Sequence, residues 1–209
     1  MEITALRRAA LEYDDIPSYA HVSPDRRDRW EECLSQRFGK LKNEIPEEDW
    51  KRANGWKIPD LIWTTLDGGL RPSEIEQATL SWVNLEDGVS EVPREEESND
   101  SWTVGLRSQT VRGLENWLKE RRQYDVYTDS DKPWLTQRGN QYQTGSLNYL
   151  LKQLCDIANI ETQDRNATRL TLRETIAMHL SNESDSSFVR EQLGYKSDRS
   201  TNRYEFSLE

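Results

Sequence analysis

Residues 59–74 run Pro59-Asp60-Leu61-Ile62-Trp63-Thr64-Thr65-Leu66-Asp67-Gly68-Gly69-Leu70-Arg71-Pro72-Ser73-Glu74. Ile62, Trp63 and Leu66 recur at helical spacing, and Gly68-Gly69 stops the run, because glycine accepts the left-handed backbone that closes a helix. Pro72 opens a second helix through Ser73, Glu74, Ile75 and Ala78, since its fixed φ and missing N–H suit a first helical turn. A glycine stop followed at once by a proline start sets the expectation of a mainly helical fold. It also leaves Arg71 at a helix N-terminus, where free N–H groups and the macrodipole favour an anion. The plainer reading of Arg71 alone is a surface side chain paired with Glu74.

The same punctuation organises the chain on either side. Residues 4–12 read as a helix with Leu6, Ala9, Ala10 and Tyr13 on one side. Ser23-Pro24-Asp25 starts a helix that runs past Trp30, Cys33 and Leu34 to Gly39, and Pro46 to Ala53 forms a further short one. Downstream, Val89–Val92 and Trp102–Leu106 read as two strands joined by the acidic loop from Arg94 to Ser101, with Trp102, Val104 and Leu106 alternating. Helices are predicted from Gln109, with Val111, Leu114, Trp117 and Leu118 inward, and from a Thr144 cap through Leu147, Leu150, Leu151, Leu154 and Ile157. Pro133-Trp134-Leu135-Thr136 is a short extended piece. Three short helices follow near 171–181, 186–193 and 198–206. The fold class is mainly α with a small antiparallel β-ribbon (α+β).

The 209 residues suffice for one substantial domain with a core, and eight Trp and eight Tyr supply burial that a 34% hydrophobic content would otherwise lack. No stretch reaches the ~20 apolar residues of a membrane span, and no signal-peptide core is visible at the start, so a soluble, cytoplasmic protein is expected. Cys33 and Cys155 lack metal or redox spacing and read as two buried free thiols. His21 and His179 form no ligand cluster, and no metal site is expected. A net charge of −10 argues against a phosphate-rich partner. Arg outnumbers Lys, however, and an acidic, Lys-poor surface suits solubility at high salt, so local clusters decide.

Two further residues matter in combination. Arg173, in Leu170-Thr171-Leu172-Arg173-Glu174-Thr175, begins a helix whose Ile176, Ala177 and Leu180 face the core. Tyr204, in Ser200-Thr201-Asn202-Arg203-Tyr204, lies near the chain end. Alone, the first is an ordinary helical arginine and the second a packing aromatic. Together with Gly69-Leu70-Arg71-Pro72-Ser73-Glu74 and Gln192-Leu193-Gly194-Tyr195-Lys196-Ser197, in that order, they resemble the tyrosine recombinases of the phage integrase family. Tyr204 follows Tyr195 by the step that separates the family's Leu-Gly-His residue from its nucleophile. The resemblance covers essentially the whole chain. Trp56-Lys57-Ile58-Pro59, the Leu66–Pro72 stretch and Pro133-Trp134-Leu135-Thr136 are similar to the haloarchaeal integrase branch, which would also account for the acidic surface.

The resemblance implies site-specific recombination, the integration or excision of a mobile element such as an archaeal virus or provirus. Arg71 and Arg173 would grip the scissile phosphate bidentately and stabilise the charge of the phosphorane, while Tyr204 attacks in line. The products would be a 3′-phosphotyrosyl link and a free 5′-hydroxyl, and no metal or other cofactor is implied. The partner would be a double-stranded DNA attachment site, bound by a synaptic homo-tetramer that is a monomer in isolation, away from any membrane. Residues 1–209 would form the catalytic domain, 1–58 as its N-terminal helices and 59–209 as its active-site part. The family's N-terminal core-binding domain has no counterpart, so weak, salt-sensitive DNA binding is expected.

Three family positions differ. The hairpin lysine, which would protonate the leaving oxygen, is replaced by Glu95-Glu96-Glu97-Ser98-Asn99-Asp100; the histidine before the second arginine is Leu170; and the residue after Leu-Gly is Tyr195. Loss of a general acid costs roughly 10²–10⁴ in rate. Tyr195, Lys196 and Arg169 are the auxiliary residues that could compensate. A catalytically impaired, integrase-derived DNA-binding protein is therefore the alternative, and an acidic helical interaction domain a third reading.

Overall fold

The computed structural model describes residues 3–13, 16–94, 101–160 and 169–195, with backbone alone at 169–171 and 183. Its elements are α1 (Ile3–Glu12), α2 (Pro24–Phe38), α3 (Glu47–Arg52), α4 (Lys57–Gly68), α5 (Pro72–Gln77), β1 (Val83–Asn84), β2 (Val89–Pro93), β3 (Ser101–Gly105), α6 (Ser108–Arg121), α7 (Thr144–Ile157), α8 (Arg169–Glu183) and α9 (Ser186–Gln192). The fold is mostly helical with a small antiparallel sheet, ordered β1-β2-β3, as expected. No described helix is long and apolar enough to cross a membrane.

Helix α4 is the axis of the fold. All its residues are buried, and it packs against α1, α6, α8 and β3. Such burial demands that each polar side chain find a partner. Trp134 Nε1 donates to Asp60 at 2.7 Å, Thr65 donates to the Leu61 carbonyl at 2.6 Å, and Asp67 pairs with Arg7. Around α4, the side chains of α1, β3, α6, α7, α8 and α9 form one apolar cluster centred on Leu61, Trp63, Val104, Leu114, Trp117 and Leu154.

A second cluster lies among α2, α3 and their flanking loops, built on Trp30, Leu34, Ile45 and Trp50. Tyr124 packs against both clusters, with ring centroids 5.0 Å from Trp30 and 5.8 Å from Trp117.

The β2–β3 ladder pairs Val92 with Trp102 and Ser90 with Val104, which puts Val92, Trp102 and Val104 in the core. The sheet has a third strand not anticipated from sequence: β1 has two residues, too few for any alternation to register. Two further expectations need correction. Thr144 is the first helical residue of α7, and the cap is Gln143, whose N–H donates to Ser146 Oγ at 3.0 Å. Cys155 is buried, but Cys33 is only half-buried, because α2 turns its inner stripe through Trp30 and Leu34 instead. The predicted helix near 198–206 and the acidic run 95–100 lie outside the described residues.

Candidate active site

The site is assembled where three chain turns meet. The first closes α4: Gly69 adopts φ +56°, the left-handed conformation its missing side chain permits. A Cβ on Gly69 would stand 2.6 Å from Leu193 Cδ2, so the turn needs glycine for space as well as for backbone angle. The second opens α5. Arg71 is the N-cap, and Glu74 in the first turn reaches back to its N–H while accepting from Arg71 Nη1 at 2.5 Å. One carboxylate thus holds both ends of Arg71, whose side chain stays 45% exposed. The sequence placed Glu74 as its partner, and that pair is present.

The third turn follows α9. Leu193-Gly194-Tyr195 leaves the helix with Gly194 at φ +63°, and a Cβ there would lie 2.5 Å from Trp102 Cδ2 of β3. This close approach seats the turn on the sheet. Arg94, at the end of β2, donates from Nη1 to the Gly194 carbonyl at 3.3 Å.

Arg173 joins the first and third turns from α8. It is 7% exposed; Nη1 donates to the Gly69 carbonyl and Nη2 to the Leu193 carbonyl at 2.6 Å. Its guanidinium lies 5.0 Å from the centroid of the Tyr195 ring and is hydrogen-bonded to that residue. The Arg173 pKa is pushed down from its ordinary value, first by burial and next by the positive charge of Arg71, against smaller opposing effects of Tyr195 and Glu74. Two guanidinium groups remote in sequence therefore feel each other across a partly desolvated surface. An anion placed between them relieves that repulsion, because opposite charge favours the charged form of each.

The structure brings together Arg71, Arg173 and Tyr195. Tyr204 and Lys196 lie outside the described residues, and Arg169 contributes backbone to α8 while its side chain is outside them. Sequence reasoning missed Arg94, which the adjoining acidic run obscured, and Gln192, which no local pattern marks. Among the described residues, no group of three or more His, Cys, Asp or Glu is placed to hold a metal ion.

A mostly helical body with a small antiparallel three-stranded sheet matches the fold of a tyrosine recombinase catalytic domain. Residues 55–208 match the phage integrase family, and the chain belongs to that family. No curated protein matches it significantly in sequence. Solved structures that share its fold include three recombinases. XerA recombinase has a TM-score of 0.61 at 22% identity, covering 92% of this chain and 61% of that one. XerH site-specific recombinase bound to difH substrate, a pre-cleavage complex, has 0.60 at 19%, covering 91% and 50%. The Tn1549 transposon integrase in complex with circular intermediate DNA has 0.58 at 18%, covering 93% and 64%. The chain spans less than two thirds of the length of each.

Proposed function

We propose that the chain is a site-specific DNA recombinase that cleaves and rejoins a double-stranded attachment site through Tyr204. The carrying observation is the convergence of Arg71 and Arg173: the second is anchored to two main-chain carbonyls, one of them Gly69 beside Arg71, and its pKa is lowered by burial and then by the charge of Arg71. In this reading the two guanidinium groups bind the non-bridging oxygens of one phosphodiester and stabilise the extra charge of the phosphorane. The Tyr204 oxygen bonds to phosphorus as the bond to the 5′-oxygen breaks, giving a 3′-phosphotyrosyl ester and a 5′-hydroxyl. The 5′-hydroxyl of a partner strand reverses the step, so phosphate bonds are conserved. Tyr195, against Arg173, is the auxiliary ligand of a phosphate oxygen, with Lys196 and Arg169 as further cations.

Residues 1–209 act in this reading as the catalytic unit, which assembles as a tetramer on DNA. The charge of −10 and the resemblance of the Trp56–Pro72 region to haloarchaeal integrases support a mobile-element integrase working at high salt in the cytoplasm.

A second reading, an integrase-derived DNA binder that does not cut, is favoured by Leu170, Tyr195 and the acidic run 95–100 at positions where the family carries protonating groups. A nicked duplex taken from the boundary of the encoding element separates the two. The recombinase forms a covalent protein–DNA adduct that Tyr204→Phe abolishes. A gel shift at low salt without an adduct overturns cleavage in favour of silent binding.

A further inference from the structure

Arg173 is fixed by two carbonyls, Gly69 after α4 and Leu193 after α9, which belong to distant parts of the chain. Its geometry is only as good as the registration of those two turns. The residue immediately before Leu193 supplies a direct tie. Gln192 is 9% exposed, and its Nε2 donates to the Asp67 carbonyl at 2.8 Å and the Gly105 carbonyl at 2.9 Å, while its Oε1 accepts from the Gly105 N–H at 3.1 Å. With Gly105 it exchanges a donor and an acceptor as another strand would, so the end of β3 is closed by a side chain. With Asp67 it binds the last turn of α4, two residues before Gly69.

We infer that Gln192 is the positioning residue of the arginine site: its amide locks the end of α9 to the end of α4 and to β3, and so sets the two carbonyls that aim Arg173. The inference rests on the recombinase reading above. It requires a side chain with two N–H donors and one acceptor at that length, which among the twenty residues means glutamine. Leucine keeps the volume and removes every bond. Glutamate keeps one acceptor but turns a carboxylate toward two carbonyl oxygens, in a groove also lined by Asp67, Arg107 and His179. Protonated glutamate regains one donor, so its effect depends on pH.

The test compares the wild type with Gln192→Leu and Gln192→Glu on the nicked duplex, at saturating DNA and normalised to folded protein. Both variants bind DNA with near wild-type affinity, and adduct formation falls about 100-fold, the scale of a misplacement of ~1 Å. Gln192→Glu alone recovers adduct formation as pH is lowered toward about 4.3, the ordinary glutamate value, where its carboxyl takes up a proton. A loss of fold stability shared by both variants does not produce that pH limb in one of them. Undiminished adduct formation in both folded variants, or identical pH profiles, overturns the inference and leaves the recombinase reading standing. A wild type that forms no adduct sinks that reading instead. The positioning is then still decided by nuclear magnetic resonance of the Arg173 guanidinium protons, which exchange slowly in the wild type and rapidly in Gln192→Leu; equal exchange overturns it.

Discussion

The two ends of α4 bury one carboxylate each and handle it in opposite ways. Near the N-terminal end, Asp60 is fully buried and, among the described residues, accepts hydrogen bonds from neutral donors, Trp134 Nε1 at 2.7 Å and Thr64 Oγ1 at 3.4 Å. Burial pushes its pKa up to about 7, against which the two hydrogen bonds act only in part. At the C-terminal end, Asp67 meets Arg7, the Arg107 guanidinium at 3.5 Å and the Arg107 N–H at 2.9 Å. The first end faces the core and can hold a neutral acid there. The second leads directly into Gly69 and Arg71, and is tied by charge to α1 and α6. A helix buried along its length thus divides its labour: one end packs, and the other registers the elements that carry the arginines.

The largest break in that comparison comes at the site end. Asp67→Ala leaves Arg7 buried without its carboxylate, and loss of one partner from a buried pair costs about 3–5 kcal/mol. Urea denaturation measures it, and a loss no greater than that of an exposed pair shows that Asp67 does not organise this end. Arg173→Lys comes next. A lysine presents one ammonium where the guanidinium spans the Gly69 and Leu193 carbonyls, and adduct formation falls roughly 100- to 1,000-fold, as when a charge-stabilising donor is removed. An unchanged rate separates Arg173 from the chemistry.

At the core end the effect is spread over pH and vanishes in acid, so at any one pH it is the smaller one. The folded Asp60 pKa, about 7, lies above the unfolded value of 3.8, so the folded state holds the proton more tightly. The stabilisation is complete below the unfolded value and is lost as pH rises toward about 7, by about 1.4 kcal/mol per pH unit. Asp60→Asn, which keeps an acceptor for Trp134 and has no proton to lose, flattens that limb and is the more stable protein at alkaline pH. Chemical denaturation across the pH range checks this, and parallel wild-type and variant curves refute it.

What was legible in the sequence follows from the range of the forces involved. The stop at Gly69 and the start at Pro72 are written in the backbone preferences of single residues, so α4 and α5 could be placed from neighbours alone. Arg173 could be located on a helix from the stripe of Ile176, Ala177 and Leu180, but its partnership with Arg71 came only through family resemblance. The bonds of the Asp67 and Gln192 side chains were illegible because they join groups far apart in sequence, and no periodicity announces which partners lie opposite. Nothing local in the sequence marks the burial of Asp60, whose partner Trp134 comes from a distant segment.

Tyr124 packs against Trp30 of the α2–α3 cluster and Trp117 of the larger one. A partly buried ring shared by two clusters is a party wall: displacing it on the α2–α3 side also removes its contact with the larger cluster. The helices around Trp30 and Trp50 therefore cannot loosen as a private event.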